Sequence, residues 1–306
     1  MEKIKATHFE IFNPLSIFFK HKLEEFSLSY TKPTNKERDV LINEIVEYLN
    51  KEKTIVSGKH RKDQWENGWN ENFLEFQKTK KLDALIPKYF NKFKVQRLNG
   101  DFIFPVENNF EIKIVSLFQY ALFNKYFKNE KVIYEFGAGT GHNLLRLREI
   151  NKKAKLYSFE WTNSGVKLIN LVADFLNDNY LKGIKFDNFN PDFSIKLEKN
   201  SSIYTFAALE QLGNNFNKFL DYILLNKPKF IINVEPLAET LNEKDLLQNL
   251  SIKYFKKRNY LNDYVTQLKS LEKQKKVKII DTFRTGFGSK YIEGYSIVIW
   301  KPIIKN

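Results

Sequence analysis

Three of the chain's twelve glycines fall within five positions, at Gly137, Gly139 and Gly141. They follow the short apolar run 132–136 and precede the helix-like stretch 142–150. Glycine lets the chain turn sharply, and it lets a ligand touch backbone that a Cβ atom would cover. The N–H groups at the start of the following helix are also free to bind. The segment therefore predicts a strand, a ligand-binding loop and a helix in direct succession.

The spacing around this loop argues against the common phosphate-binding motifs. A dinucleotide-binding loop of the form G-x-G-x-x-G needs its third glycine at position 142, where the chain has His142. The phosphate loop G-x-x-x-x-G-K-[ST] has no match here. Instead, Glu135 stands two residues before Gly137. A carboxylate there would repel a pyrophosphate but would attract a ligand that carries an ammonium and a sulfonium group. The charge pattern therefore favours S-adenosylmethionine.

On these residues, the segment 131–302 resembles the class I S-adenosylmethionine-dependent methyltransferases. The stretch from Glu135 to Gly141 matches that family's first motif, whose loop wraps the methionyl part of the cofactor. Glu160 ends the second strand-like run, where the family places an acid that accepts hydrogen bonds from both ribose hydroxyls. Asp187 closes the third run, where the family often has an acid that accepts from the adenine amino group. Three acids that close successive strands make the resemblance specific.

The resemblance implies a cofactor site built from these strand ends and the residues that follow them. Its predicted members are Glu135, Gly137, Ala138, Gly139, Gly141, Glu160, Trp161, Asp187, Asn188 and Ala207. The implied cofactor is S-adenosylmethionine, with S-adenosylhomocysteine as the product. For Glu160 and Asp187 a structural role, capping the next helix, stays open.

The residues expected near the transferable methyl group follow the fourth and fifth strand-like runs. By the resemblance, the stretch 207–213 lies there, and it contains Glu210 and Gln211 among apolar neighbours. Glu235 ends the fifth run and is followed by a proline, so we expect it at a loop mouth. A hydroxyl acceptor needs a general base. The predicted catalytic residues are Glu210, Glu235 and His142, and capping or other structural roles are the alternative for each.

Substrate recognition is expected to draw on aromatic and amide side chains of the amino-terminal part. Trp65 and Trp69 lie among acids and amides, which suits stacking and hydrogen bonding to a polar ring. Tryptophans four residues apart on a helix also suit a core. Arg284 stands near two glycines and could clamp an anionic group, with a plain hairpin loop as the alternative. The predicted substrate-binding residues are Trp65, Trp69, Gln211, Arg284 and Tyr295.

A parallel sheet is the element that would bring these strand ends together. Short apolar runs alternate with helical segments, which predicts βαβ units, and the runs lie at 132–136, 155–161, 184–189, 202–207 and 230–235. The segment 277–302 adds two strand-like runs joined by a glycine-containing loop, which predicts an antiparallel hairpin. We therefore predict an α/β fold with a doubly wound, mostly parallel, seven-stranded Rossmann-like sheet that closes with this hairpin.

The residues before this sheet predict a mainly helical cap. Helical periodicity occurs at 35–50, 64–80 and 111–128. A hairpin is predicted at 94–106, with Asn99-Gly100 as its turn. The predicted division is a cap and substrate-recognition region at 1–130 and a cofactor-binding domain at 131–306.

The composition argues against several other kinds of site and partner. The chain has no cysteine, which excludes disulfides, thiolate metal sites and cysteine nucleophiles. Its four histidines do not stand at ligand spacings, so no metal site is predicted. No run approaches eighteen apolar residues, so we expect no membrane insertion and a cytoplasmic protein. The net charge of 50 − 36 = +14 is scattered along the chain, which does not favour a nucleic-acid partner.

Together these features predict an S-adenosylmethionine-dependent methyltransferase that acts on a small polar acceptor. O-methylation of a sugar or a nucleotide-linked sugar is the predicted reaction. Methylation of RNA or protein, and a non-catalytic module that binds the cofactor, are the alternatives. The acceptor atom and the oligomeric state stay open.

Overall fold

The structure, a computed structural model, describes residues 1–304. Within them the strands are β1 (Glu2–Lys3), β2 (Ser29–Thr31), β3 (Gln96–Leu98), β4 (Asp101–Pro105), β5 (Val132–Phe136), β6 (Lys155–Glu160), β7 (Leu181–Lys185), β8 (Ser202–Phe206), β9 (Phe230–Glu235), β10 (Val277–Arg284), β11 (Gly288–Ser289) and β12 (Ser296–Pro302). The α-helices are α1 (Ile17–Phe26), α2 (Asn35–Asn50), α3 (Lys62–Thr79), α4 (Phe110–Tyr126), α5 (His142–Ile150), α6 (Asn163–Phe175), α7 (Asn217–Asn226), α8 (Leu246–Arg258) and α9 (Tyr264–Lys273). Short 3₁₀ helices span Ala6–Phe12, Lys59–Arg61, Leu82–Leu85, Leu209–Leu212 and Ala238–Thr240.

The larger sheet has seven strands in the order β10-β12-β9-β8-β5-β6-β7. Strands β5 to β9 run parallel, and β12 pairs antiparallel with both β9 and β10. This confirms the doubly wound, mostly parallel sheet with an antiparallel carboxyl-terminal pair. The chain leaves β5 towards β6 and β7, then returns to β8 on the other side of β5. Such a switch point opens a crevice at the carboxyl ends of the two central strands.

Helices cover both faces of this sheet. Successive side chains of a strand point to opposite faces, so they pack into two separate apolar layers. On one face, Ile133 and Leu156 belong to a core cluster with residues of α4, α5 and α6. On the other face, Tyr134 and Phe136 belong to a cluster with residues of α7 and α9. Strand β5 is buried along its whole length. The strand ends, rather than the faces, are therefore free to bind a ligand.

The residues before the sheet form more than a helical cap. Strands β1, β2, β4, β3 and β11 build a second, five-stranded antiparallel sheet. In it β3 and β4 pair around Asn99 and Gly100, whose φ values of 51° and 85° suit a tight two-residue turn. Strand β11 comes from the loop between β10 and β12, so this loop joins the two sheets. Helix α4 lies before residue 130 yet contributes to the core of the large sheet.

The third strand of the large sheet differs in position from the sequence prediction. The run 184–189 was expected to be extended, whereas β7 spans Leu181–Lys185. The Asn170 side chain bonds both the N–H and the C=O of Gly183, which fixes the earlier register. Asp187 consequently lies in the turn after the strand.

Among the helices of residues 1–304, none is both long and apolar enough to cross a membrane.

Candidate functional site

The glycine loop lies at the carboxyl end of β5, in the crevice of the large sheet. Gly137, Gly139 and Gly141 have φ values of 74°, 57° and 78°, in the left-handed region that glycine occupies without strain. A Cβ atom on Gly137 would stand 2.5 Å from the Cβ of Ala208, in the segment after β8. Glycine is therefore required here both by the backbone conformation and by the approach of the neighbouring segment.

A pocket of about 690 Å³, counting its open mouth, lies against this loop. The predicted residues that line it are Trp65, Trp69, Gly137, Ala138, Gly139, His142, Glu160, Trp161, Asn188, Ala207 and Gln211. The structure thus brings together most of the predicted cofactor site and the tryptophans predicted to bind substrate.

Glu160 joins the glycine loop to the start of α6. Its Oε2 accepts a hydrogen bond of 2.8 Å from the N–H of Gly139. Its Oε1 accepts from the backbone N–H and the hydroxyl of Thr162, at 2.9 and 2.8 Å. Burial raises the pKa of Glu160, and these hydrogen bonds partly oppose that rise. The carboxyl group is therefore held rigidly in the pocket wall.

The pocket lining includes no lysine and no arginine from the described residues. Glu160 is the carboxyl group of the wall, and the neighbouring His142 carries no compensating charge. Burial, together with the charge of Arg146, holds the pKa of His142 well below its usual value, so the imidazole is neutral. A phosphate-bearing ligand finds no cation here, whereas a positively charged ligand finds an acid.

Three buried polar atoms of the lining have no hydrogen-bond partner within the described chain. They are Nε1 of Trp65, Nε2 of His142 and Oδ1 of Asn188. Buried polar atoms in proteins are nearly always paired, so unpaired ones in one pocket indicate groups that a ligand satisfies. Nε1 of Trp65 is a donor and Oδ1 of Asn188 is an acceptor, and Nε2 of the neutral His142 imidazole can be either.

Helix α3 forms the roof of the pocket. The Trp69 ring lies against the glycine loop, because a Cβ atom on Gly139 would stand 3.0 Å from Cζ2 of Trp69. The rings of Trp65 and Trp69 are 5.3 Å apart at 32°. Glu66 fastens this helix to the start of α6, since its carboxylate accepts the N–H groups of Asn163 and Ser164 at 2.8 and 2.6 Å. A carboxylate is favoured at a helix amino terminus.

A flat aromatic wall continues the pocket beyond Glu160. The rings of Trp161 and Phe189 are stacked, with centroids 5.5 Å apart and planes 30° from parallel. Asp187 does not line the pocket. Its carboxylate instead accepts the N–H of Phe189 at 2.8 Å and lies 4.0 Å from the ammonium of Lys59. Asp187 thus stabilises the turn that presents the neighbouring aromatic ring.

Glu135 and Gly141 lie beneath the glycine loop rather than at its surface. Glu135 is fully buried, and its carboxyl oxygens accept hydrogen bonds of 2.7 Å from Asn143 and from the Tyr204 hydroxyl. Burial raises the pKa of Glu135 to about 7, against the opposing effect of these bonds. At Gly141, a Cβ atom would stand 2.7 Å from Cγ1 of Ile169. Both residues therefore support the conformation of the glycine loop without lining the pocket.

Glu235 was expected at a loop mouth, but the structure places it behind the pocket wall. It is the last residue of β9 and is fully buried. Its carboxyl oxygens accept the backbone N–H groups of Ala208, Leu209 and Glu210 at 3.1, 3.1 and 3.3 Å. Burial raises its pKa to about 8, and the charge of Glu210 adds to the rise. Three free backbone donors explain why the side chain turns inwards and supports the segment after β8.

Gln211 is the polar side chain of this segment that faces the pocket. Its amide oxygen accepts a hydrogen bond of 3.1 Å from Nη1 of Arg61, and its amide nitrogen donates to Oε1 of Glu210 at 3.0 Å. Glu210 is half-buried behind Gln211, and burial raises its pKa to about 7. A carboxyl group with this pKa can take up or release a proton near neutral pH.

Arg284 and Tyr295 lie outside the pocket lining. Arg284 forms a bidentate ion pair with the buried carboxylate of Glu293, at 2.7 and 3.0 Å. Tyr295 packs between Phe287 and Phe206, with ring centroids 6.0 and 5.3 Å away. Because Phe206 does line the pocket, Tyr295 is one layer behind the wall.

Sequence reasoning did not identify several lining residues from the cap. Pro87 and Tyr89 line the pocket, and Tyr89 meets the Trp65 ring edge-on at 6.3 Å. The hydroxyl of Thr140, within the glycine loop, donates to the carbonyl of Leu85 at 2.6 Å and holds this segment in place. The segment lacks helical or strand periodicity, so no sequence signal marked it.

Comparison with known proteins yields structural similarity only. No family model and no curated protein matches the sequence. Among solved structures, the [4+2]-cyclase SpnF has a TM-score of 0.48 and 11% identity over 64% of this chain and 83% of its own. The mitomycin 7-O-methyltransferase MmcR has a TM-score of 0.47 and 10% identity over 78% and 68%. A Podospora anserina methyltransferase solved with S-adenosylhomocysteine has a TM-score of 0.43 and 13% identity over 90% and 100%.

Proposed function

We propose that the chain is an S-adenosylmethionine-dependent methyltransferase that acts on a small acceptor. The observation that carries the proposal is the pocket at the switch point of the sheet, which has an acid and a glycine loop in its wall and, among residues 1–304, no lysine or arginine in its lining. A phosphate placed against the glycine loop would lie beside the Glu160 carboxylate with no cation of the lining to pair with it. S-adenosylmethionine has no phosphate, and it carries positive charge on sulfur and nitrogen.

The pocket residues fit the parts of this cofactor. The backbone of Gly137 and Gly139 would hold the methionyl part, where a side chain would leave no room. The carboxylate of Glu160 would accept hydrogen bonds from the ribose hydroxyls. Trp161 and the unpaired Oδ1 of Asn188 would hold the adenine ring and its amino group. When bound, the cofactor supplies a methyl group on a sulfonium, which a nucleophile on the acceptor can take.

The chain's own residues contribute enclosure and positioning. The roof helix α3 and the segment after β8 bound the pocket on the acceptor side. Trp65 and Trp69 offer flat surfaces on which a ring of the acceptor can stack. Gln211 would orient the acceptor, and Glu210 behind it would take up the proton that a hydroxyl acceptor releases. These features support O-methylation of a ring-bearing polar metabolite, such as a sugar or a nucleotide-linked sugar.

Calorimetric titration tests the cofactor assignment without knowledge of the acceptor. We expect S-adenosylmethionine and S-adenosylhomocysteine to bind with one site per chain, and NAD and ATP not to displace them. Glu160→Ala should weaken the affinity roughly ten- to a hundredfold, because hydrogen bonds to a charged group contribute about 1.5–3 kcal/mol. Glu160→Gln keeps the side-chain volume and should also bind weakly.

Glu198→Ala is the matched control for this titration. Glu198 is an acid near the same sheet, but it pairs with Lys155 at the surface and is not part of the pocket lining. Its substitution should leave the affinity unchanged. Binding of NAD in preference to S-adenosylmethionine, or wild-type affinity in both Glu160 variants, would refute the proposed site. Cofactor binding without release of S-adenosylhomocysteine across a panel of acceptors would instead indicate a non-catalytic binding module.

A further inference from the structure

Two arginines lie beside the acceptor side of the pocket without a carboxylate partner. Arg61, at the end of the 3₁₀ helix Lys59–Arg61, is 8% exposed, and Arg258, at the end of α8, is half-buried. Neither forms an ion pair with any carboxylate of residues 1–304. Charged side chains are rarely buried without a partner, since removal of the charge from water is costly. Their placement therefore requires a reason.

A third arginine shows how this protein satisfies a buried guanidinium that has a structural role. Arg97 is fully buried, and its two terminal nitrogens donate to three backbone carbonyls and to the hydroxyl of Ser251. Arg61 makes two hydrogen bonds, both to amide oxygens of glutamine side chains. Arg258 makes one, of 3.3 Å, from Nη1 to the hydroxyl of Tyr48, and its guanidinium also lies over the rings of Tyr254 and Tyr260. Nε is unpaired in both Arg97 and Arg258, but Arg97 makes four hydrogen bonds, whereas Arg61 makes two and Arg258 one.

The segment that carries Arg61 packs against the end of α8 that carries Arg258, and Arg61 contacts the pocket lining. Arg61 stacks on Trp65 at 5.1 Å and bonds Gln211, and both of these residues line the pocket. Burial lowers the pKa of Arg61, and the positive charge of Arg258 lowers it further. The backbone N–H of Ser57, four residues before Arg61, donates to the carbonyl of Arg258 at 2.8 Å. This contact docks the segment that carries Arg61 onto the end of α8.

The hydrogen-bonding groups around this pair are mostly donors without a partner in the described chain. Nε of Arg258, the hydroxyl of Ser57 and Nε1 of Trp65 are all buried and unpaired. Glu210 is the nearby acid, and the charges of Arg258 and Arg61 both lower its pKa against the larger opposite effect of burial. One acid leaves one positive charge of the two uncompensated. An excess of donors and of positive charge suits an anionic group with several acceptor oxygens.

We propose that Arg61 and Arg258 bind an anionic group, a carboxylate or a phosphate, of the methyl acceptor. The assignment of this anionic group to the acceptor rests on the proposed function, because the proposed function places the cofactor at the end of the pocket that has no cation. The two ends of the site then differ in charge, with Glu160 at the cofactor end and the arginine pair at the acceptor end. An acceptor such as a nucleotide-linked sugar or an aromatic carboxylate meets this requirement, and a neutral sugar does not.

Binding of simple anions tests the site in the full-length protein. Inorganic phosphate and benzoate are titrated separately, at constant ionic strength made up with sodium chloride, while tryptophan fluorescence is recorded. Trp65 lies under the Arg61 guanidinium and reports on it. We expect the tryptophan fluorescence to change saturably as at least one of the two anions is added. A response to phosphate alone identifies a phosphate subsite, and a response to benzoate alone identifies a carboxylate subsite.

Arginine variants then localise the response. Arg61→Gln and Arg258→Gln should each weaken anion binding at least tenfold, and Arg61→Lys should weaken it less because the charge remains. Arg38→Gln is the matched control, since Arg38 is more exposed and pairs with Asp101 far from the pocket, and it should bind anions as the wild type does. Titration with S-adenosylhomocysteine shows that each variant is folded, and its affinity should change less than about threefold.

The outcomes separate this proposal from the proposed function. Absence of a saturable anion response in the wild type overturns the anion site even if S-adenosylhomocysteine binds. An unchanged response in both glutamine variants overturns it as well, because the anion then binds elsewhere. If anions bind at the arginines but S-adenosylhomocysteine does not bind at all, the anion site stands and the methyltransferase assignment fails.

Discussion

Replacement of Glu235 by glutamine should change how the stability of the protein depends on pH. The carboxyl group is fully buried, and it accepts the N–H groups of three successive residues in the segment that bounds the acceptor side of the pocket. Burial, with a contribution from the charge of Glu210, raises its pKa from the usual 4.5 to about 8. Between these two values the folded protein keeps a proton on Glu235 that the unfolded chain releases. The folded state therefore becomes less stable as the pH rises through this window.

The size of the effect follows from proton linkage. A difference of one bound proton changes the free energy of unfolding by about 1.4 kcal/mol per pH unit. Over 8 − 4.5 = 3.5 pH units the loss for Glu235 is on the order of 5 kcal/mol, a large share of a typical domain's stability. Glutamine resembles the protonated acid, because its oxygen can still accept the N–H groups of Ala208 and Leu209. The variant should thus be less stable than the wild type by about 1 kcal/mol at low pH, because its amide nitrogen cannot accept the N–H of Glu210 and that hydrogen bond is lost.

Urea unfolding of both proteins at a series of pH values between about 5 and 8 measures this difference. We expect the wild type to lose stability more steeply than Glu235→Gln as the pH rises, so that the variant is the more stable protein near pH 8. Glu47→Gln, on the exposed face of α2, is the control and should follow the wild type throughout. Parallel curves for the wild type and Glu235→Gln would show that Glu235 titrates normally, and the account of the buried carboxyl group would fail.

Two further variants test the walls of the pocket. Gly137→Ala should lower the free energy of unfolding by about 2–4 kcal/mol, because φ is 74° and the new Cβ would stand 2.5 Å from that of Ala208. Urea unfolding measures this change. Gly68→Ala is the control, because a Cβ atom at position 68 meets no atom within 4 Å. Glu66→Gln removes the carboxylate from the start of α6 and should cost about 1 kcal/mol, seen as faster amide hydrogen exchange at Asn163 and Ser164; unchanged exchange would mean that Glu66 does not fasten α3.

The large sheet could be predicted from the sequence because each of its central strands is short, apolar and buried on both faces. The expected run 132–136 coincides with β5, and 230–235 coincides with β9. The sharp turn of the glycine loop was also predictable, since glycine adopts without strain the left-handed conformations that such a turn uses. For β7 the predicted run 184–189 lies later in the sequence than the observed strand Leu181–Lys185. Asn170 and Gly183 fix the register of β7 through contacts that no local sequence pattern shows.

The direction in which each strand-end acid points could not be predicted in the same way. Glu160 faces the pocket, whereas Glu235, also the last residue of a parallel strand, faces inwards. The difference depends on where free backbone donors lie after folding. For Glu235 these are the N–H groups of 208–210, which belong to a different crossover. A sequence pattern gives the position of an acid along a strand but not the donors that a neighbouring segment will offer it.

The same limit applies to the charged groups of the site. Groups that are close in the sequence could be predicted, and groups that only folding brings together could not. The end of the pocket proposed for the cofactor is built from short, local stretches after β5, β6 and β7, so its acid and its glycines could be predicted from consecutive residues. The arginine pair joins position 61 to position 258, and folding alone brings them together. A net charge of +14 spread along the chain therefore conceals a site from which cations are absent at one end and in excess at the other. The glycine loop and Glu160 are accordingly the part of the site that the sequence reveals, and the arginine pair is the part that depends on the folded cap.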